Sequence, residues 1–233
     1  MSNRTTYGLA AAALVVAVVL VALFVHHRST SVPTVQDDGY GPVHDPAVSV
    51  RLDPDGSIVL GKPSATKTID VFEDPMCPAC GSMEHYFGQQ IAKLIDQGKF
   101  AVRYRLVNFL DPKSAGKDYS TRAVAASECV AAGGNGRVFS TFHQTLFTAK
   151  QPSEDGGTPT DQDLAAIAAD AGAPQQIQQC IASGERVEAA RTNAQGALVA
   201  LKTAVGQIQT PTVLDGGKNV DTDKPGWATS LAG

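Results

Sequence analysis

The stretch "EDPMCPACGSM", Glu73 to Met83, decides how this chain is read. Its two cysteines, Cys77 and Cys80, have the Cys-x-x-Cys spacing that serves thiol exchange and zinc binding equally well, so the flanking chain has to choose. Before the pair, "ATKTIDVFED" supplies a β-branched and aromatic run through Ile69, Val71 and Phe72, which predicts a strand. After it, Met83, Phe87, Ile91 and Leu94 or Ile95 recur at three- and four-residue steps up to Gly98, the period of an amphipathic helix closed by a glycine. Next, "KFAVRYRLVNF" alternates Phe100, Val102, Tyr104 and Leu106 against Arg103 and Arg105, a second strand. The cysteines therefore fall at a helix N-terminus inside a βαβ unit.

That placement has a chemical consequence. The positive end of a helix dipole and its free N–H groups favour thiolate over thiol, which selects Cys77 as nucleophile. Cys80 lies one turn further in on the same side of the helix, close enough to bond to Cys77 but less open to solvent, and reads as the resolving thiol. Pro78 takes the first helical position, where its missing N–H costs nothing. A zinc site needs two more ligands, commonly as a second short pair; His85 and His143 are single, and Cys129 and Cys180 stand far apart, so no metal is expected. An inert structural disulfide at Cys77-Cys80 would explain neither the preceding strand nor the following helix.

Further out, "AVSVRLDPDGSIVLG" alternates on both sides of "DPDG" and reads as a hairpin. From Tyr119 to Val205 the chain becomes Ala-rich with a 3.6-residue period, broken at Gly133-Gly134, "KQPSEDGGTP", Ala173-Pro174 and Gly184. Four helices are expected there, one starting at Thr160 with Asp163. His143 lies with Phe139, Phe142 and Leu146 at helical spacing, and reads as a satisfied or solvated histidine beside core phenylalanines rather than a catalytic one. After Gly206, "QIQTPTVLDGGKNV" gives a short strand, a Gly-Gly turn and a shorter strand. The whole is an α/β domain over residues 47–233 with a helical insertion at about 115–205.

The N-terminal run "GLAAAALVVAVVLVALFV", Gly8 to Val25, has no charge and no proline and is long enough to span a membrane. The following "FVHHRSTSVP" lacks the A-x-A pattern of a cleavage site, which favours an uncleaved anchor over residues 1–28 against a signal peptide. Residues 29–46, polar and rich in Pro, Gly and Asp, read as a flexible linker. Arg4 on one side and His26, His27 and Arg28 on the other leave the orientation open. A net charge of -4 and a pI near 5.7 argue against nucleic acid as partner, since a polyanion needs clustered Lys and Arg.

The segment "VFEDPMCPACGSME" resembles the active-site region of the DsbA-like branch of the thioredoxin superfamily, where a strand ends in an Asp shortly before Cys-Pro-x-Cys. "TRAVAASECV" and "VFSTFHQTLF" resemble the helices inserted in that family, and "GQIQTPTVLDGG" resembles its cis-proline segment, so the likeness runs from about Thr66 to Val220. It is strongest to the membrane-tethered members of actinobacterial type, which carry an extra Cys pair in the helical block. The resemblance implies a thioredoxin-like α/β fold, a central mixed sheet with an inserted helical domain behind an N-terminal transmembrane helix. It also implies a cis Thr210-Pro211 bond against the Cys pair, with the Thr210 backbone able to bond an extended substrate. Two departures matter. Thioredoxin-like proteins often place a buried acid six positions before the first Cys; here that position is Val71, and Glu73 and Asp74 come nearest, either as the proton handler or as solvated loop charges. Between the cysteines stand Pro78 and Ala79, without the His that DsbA-like oxidants often carry.

Given the anchor and the resemblance, Cys129 and Cys180 are expected as a structural disulfide rather than two buried thiols, and a disulfide-bearing domain belongs outside the cell on an N-in anchor. The implied activity is an extracytoplasmic thiol:disulfide oxidoreductase that introduces disulfides into exported proteins through Cys77 and Cys80, without a cofactor. Its implied partners are exported proteins with free thiols, a quinone-linked membrane oxidase for recycling, and the membrane through residues 8–25. A reductase or isomerase would use the same residues, and a non-enzymatic binding module would hold both disulfides as inert bridges.

Overall fold

The computed structural model describes residues 39–232; the proposed anchor and the first part of the linker lie outside them. No helix among the described residues is long and apolar enough to cross a membrane. Six strands form one sheet: β1 (Ser49–Leu52), β2 (Ile58–Gly61), β3 (Thr68–Glu73), β4 (Ala101–Leu106), β5 (Thr212–Asp215) and β6 (Lys218–Asn219), in the order β1-β2-β4-β3-β5-β6. Only β3 and β4 are parallel, with Val71 opposite Tyr104; the other pairs are antiparallel, so the sheet is mixed. A parallel pair needs a crossover, and helix α1 (Pro78–Asp96) supplies it.

The β1–β2 hairpin turns at "DPDG", where Gly56 N–H donates to the Asp53 carbonyl at 2.9 Å. Gly56 has φ +79°, a left-handed conformation that a side chain would strain. On α1, Met83, Phe87, Ile91, Leu94 and Ile95 are buried as their spacing requires. Phe100, Val102, Tyr104 and Leu106 of β4 and its approach are buried too, while Arg103 and Arg105 turn to the opposite face and reach Asp70 at 3.4 and 2.8 Å.

The helical insertion has five helices, not four: α2 (Tyr119–Ala132), α3 (Gly136–Phe147), α4 (Asp161–Asp170), α5 (Gln175–Ala182) and α6 (Val187–Val205). The four breaks in the sequence pattern each end a helix, and α5 is only eight residues long, too short for its period to stand out. Asn135 caps α3 by accepting from the N–H groups of Arg137 and Val138, and Thr160 with Asp163 forms a reciprocal capping box at α4. Leu198 and Leu201 of α6 pack with Phe72, Val107 and Leu214 in one cluster, while α1, α2 and α3 share a larger one with Ile69, Val71 and Val213. Each such aliphatic or aromatic side chain contributes roughly 1.5–3 kcal/mol by burial. A short helix α7 (Trp227–Ser230) closes the domain, with Trp227 edge-on to Phe87 at 5.6 Å between ring centroids.

Residues 40–46, expected as the end of a flexible linker, belong instead to the folded domain. Val43 is buried and donates its N–H to Ser140 Oγ; Asp96 on α1 accepts from the Tyr40 hydroxyl at 2.6 Å and from the N–H groups of His44 and Asp45. A composition of Pro, Gly and Asp gives no sign of these bonds, because their acceptors lie about fifty to a hundred residues away.

Candidate functional site

Strand β3 ends at Glu73 and delivers the chain to a tight turn built on Asp74. Its Oδ1 accepts from Met76 N–H at 3.0 Å and from Ser120 Oγ at 2.6 Å, its Oδ2 accepts from Leu110 N–H at 3.0 Å, and its carbonyl accepts from Cys77 N–H at 2.9 Å. Asp74 is fully buried, so it is a structural acceptor and not a solvated loop charge. Burial pushes its carboxyl up to about 7 against the bonds from Ser120, Met76 and Leu110, which favour the charged form.

The turn leaves Cys77 as the N-cap of α1 with Pro78 at the first helical positions. Cys77 is 7% exposed and Cys80 wholly buried, while Pro78 and Ala79 between them are exposed. Both cysteines are free thiols. The Cys77 thiol is lowered to about 6: the contact from Cys80 contributes most, burial opposes it, and Thr210 and the N–H groups of Cys80 and Ala79 add to the lowering. Cys80 is driven the other way, well above its ordinary value, by burial first and then by its bond to Cys77 and the charge of Glu73. One cysteine is therefore held as a thiolate and the other as a thiol.

The Thr210-Pro211 peptide is cis, and its approach brings the Thr210 carbonyl oxygen to 3.5 Å from Cys77 Sγ. Residues more than 130 positions apart in the chain thus meet because β5 pairs antiparallel with β3, which sets the start of one beside the end of the other. Cys129 on α2 and Cys180 on α5 are joined in a disulfide, with 6.1 Å between their Cα atoms.

Sequence reasoning missed two residues, Glu84 and Gln151, while His143, read from its spacing as a satisfied or solvated histidine, is buried beside two carboxylates. Glu84 on α1 and His143 on α3 meet Glu73 behind the Cys pair: His143 Nε2 is 3.4 Å from Glu73 Oε2 and 3.5 Å from Glu84 Oε1, and all three side chains are buried. Burial alone would lower the His143 imidazole, but the Glu84 charge and contacts with both carboxylates raise it to about 9. Burial and then the Glu84 charge raise Glu73 to about 7, against the pull of His143. These ligand atoms lie within 4.8 Å of one another, the one described grouping of His, Cys, Asp and Glu close enough to grip a cation. The His143 imidazolium, however, already offsets one carboxylate charge there. The available signal was Glu84 itself, a carboxylate on the buried stripe of Cys80, Met83, Phe87 and Ile91. The second missed residue is Gln151, whose Nε2 donates to the carbonyls of Cys77 and Pro75.

A family model described as Thioredoxin matches residues 53–228. The serine/threonine-protein kinase PknE of Mycobacterium tuberculosis is 39% identical over 189 residues, which are 80% of this chain and 33% of that protein. PknE of Mycobacterium bovis matches to the same extent, so the chain spans about a third of the length of these curated relatives. Among solved structures, the thiol-disulfide oxidoreductase MdbA of Corynebacterium diphtheriae is similar at a TM-score of 0.68 and 27% identity, covering 81% of this chain and 94% of that one. The reduced disulfide bond oxidoreductase DsbG of M. tuberculosis gives 0.61 and 29% over 78% and 94%, and oxidised DsbA of M. tuberculosis 0.58 and 30% over 79% and 97%.

Proposed function

The chain belongs to the thioredoxin family, and from that premise we propose that it is a thiol:disulfide oxidoreductase of DsbA type that oxidises the thiols of exported proteins. The observation that carries this is the opposite treatment of the two cysteines, Cys77 lowered and Cys80 raised, at the start of one helix. A client thiolate attacks Cys77 Sγ of the disulfide form, giving a mixed disulfide and releasing Cys80; a second client thiolate then displaces Cys77, and the client leaves oxidised. A stabilised thiolate makes Cys77 a good leaving group and favours the reduced form of the enzyme, which drives the oxidation of others. The thiol-disulfide oxidoreductases among its structural neighbours support the chemistry.

Pro78 and Ala79 form the exposed lip over Cys77, and the Thr210 backbone beside Pro211 is the place for an extended client chain to bond. Glu73 and Asp74 are the buried acids nearest the pair, and Glu73, whose charge acts on Cys80, is assigned the proton. The Cys129–Cys180 disulfide and the apolar run at residues 8–25 support a domain outside the cell on an N-in anchor, with a quinone-linked membrane oxidase to restore the disulfide. The resemblance to PknE concerns a third of that protein, and no kinase activity is carried over.

The test is the equilibrium reduction potential of Cys77-Cys80, read by alkylation of Cys77 so that Cys129–Cys180 adds no signal. A value at about -120 to -180 mV supports an oxidase, whereas one near about -270 mV reverses the direction of electron flow. Thiol exchange that survives Cys77→Ser overturns the activity itself.

A further inference from the structure

Strand β3, α1 and α3 bring Glu73, Glu84 and His143 together in the core, and none of the three side chains is more than 5% exposed. Five of their atoms, Glu73 Oε1 and Oε2, Glu84 Oε1, and His143 Nδ1 and Nε2, have no hydrogen-bond partner among the described residues. Buried polar atoms are nearly always bonded, so a cluster of unbonded ones calls for a reason. A charged His143 offsets only one of the two carboxylates. The rings of Tyr104, Phe139 and Phe147, with centroids 4.3, 5.7 and 4.6 Å from that of His143, wall the cluster with apolar surface.

The spacing suits a small ion better than a hydrogen bond. His143 Nε2 stands 3.4 Å from Glu73 Oε2 and 3.5 Å from Glu84 Oε1, beyond the roughly 2.7–3.2 Å of an N–H···O bond. In a tetrahedral zinc site with bonds of about 2.0–2.1 Å, neighbouring ligand atoms lie about 3.3–3.5 Å apart. One ligand atom from each residue lies within 4.8 Å of the other two, so small side-chain turns close the set onto an ion. A cavity of about 10 Å³ borders Glu84 and His143, with room for about one water as fourth ligand. Pro42, ahead of β1, lines the same cavity, and the ion enters there.

We propose that Glu73, Glu84 and His143 form a binding site for one zinc ion, held by His143 Nε2 and one oxygen of each carboxylate. One imidazole, two carboxylates and a water make a donor set that zinc takes in four-coordinate sites. Calcium needs six to eight oxygens and magnesium an octahedral shell that keeps several waters, and a cavity for one water has no room for either. A neutral imidazole and two carboxylates cancel the 2+ charge, so the loaded site is neutral overall in its apolar surroundings. Proton and metal compete for these atoms, so the loaded form is one in which Glu73 carries no proton. Neither Cys77 nor Cys80 is a ligand, which separates this site from the thiol chemistry. A search for closely spaced Cys and His pairs passes over it, because its ligands come from positions 73, 84 and 143 on three separate elements.

The experiment uses the full chain with Cys77 and Cys80 oxidised to the disulfide, so that no thiolate competes for the metal. After treatment with a chelator, zinc chloride is titrated by calorimetry into wild type, Glu84→Gln and His143→Gln. His85→Gln, at an exposed histidine of α1, is the control. Wild type and the control are expected to bind one zinc per chain with equal affinity, and Glu84→Gln and His143→Gln to bind it at least about tenfold more weakly, as disturbed metal shells do. A smaller loss in either variant overturns the proposal, and so does the lack of stoichiometric binding by wild type up to millimolar zinc. Should the variants fail to fold, X-ray absorption at the zinc edge of loaded wild type decides. One histidine nitrogen and oxygens at about 2.0–2.1 Å in a four-coordinate shell support the site, whereas sulfur ligands or a six-coordinate shell refute it.

Discussion

Gln151 Nε2 donates to the carbonyl oxygen of Cys77 at 2.9 Å and to that of Pro75 at 3.2 Å. Gln151 stands in the loop after α3, so the helical insertion holds the turn that presents the nucleophile. Gly81 makes room for this contact. A Cβ there would come within 2.1 Å of Gln151 Oε1 and 2.7 Å of the Phe147 carbonyl oxygen.

Gly81→Ala is therefore expected to destabilise the protein by about 1–3 kcal/mol, the usual cost of overpacking, and to speed alkylation of Cys77 as the Gln151 clamp loosens. Urea unfolding and alkylation kinetics measure both. A change within about 0.5 kcal/mol would show that the loop yields without penalty.

The Cys77 thiol is lowered from 9.0 to about 6 in the folded dithiol form, so its contribution to stability is full above pH 9 and is lost as pH falls through 6. The disulfide form has no such group. The stability of the reduced protein relative to the oxidised one is expected to rise between pH 6 and 9, by up to about 4 kcal/mol at about 1.4 kcal/mol per tenfold change in proton affinity. Melting curves of both redox forms at these two pH values check this, and a pH-independent difference contradicts it.

Asp74 titrates with the opposite sign. Its folded value is raised from 3.8 to about 7, so its contribution is complete below about pH 4 and disappears as pH rises through 7. Asp74→Asn removes that dependence, and its stability deficit relative to wild type is expected to be smaller at pH 8 than at pH 5. Asp74→Ala leaves the N–H groups of Met76 and Leu110 without an acceptor, at about 1–3 kcal/mol for each stranded group. Urea midpoints of the two variants at both pH values measure these differences.

Replacing Cys129 and Cys180 together by Ala opens a loop spanning 51 positions. A loss of about 2–4 kcal/mol is expected with the Cys77-Cys80 potential unchanged, because the bridge acts on the unfolded chain and not on the thiolate. A shifted potential would instead tie the bridge to the active site.

Much of the architecture is legible in local patterns. The period of Met83, Phe87 and Ile91 predicts α1 and its buried face, the alternation around Arg103 and Arg105 predicts β4, and Thr160 with Asp163 predicts the start of α4. These are interactions between near neighbours along the chain, so a few residues suffice to specify them. The folding of residues 40–46 onto α1 escapes such patterns. Their bonds join positions that no sequence period relates.

The candidate site divides along the same line. The sequence by itself determined that Cys77 begins a helix after a strand, that Pro78 fits the first turn and that Cys80 follows one turn later, because backbone geometry sets all three. The tertiary structure decided that Glu73 and Asp74 are buried, that Glu84 and His143 join Glu73, and that Gln151 grips the Cys77 carbonyl. A carboxylate's proton affinity depends on excluded water and on the charges packed around it, and for Glu73 those come from α1 and from a helix seventy residues further along the chain.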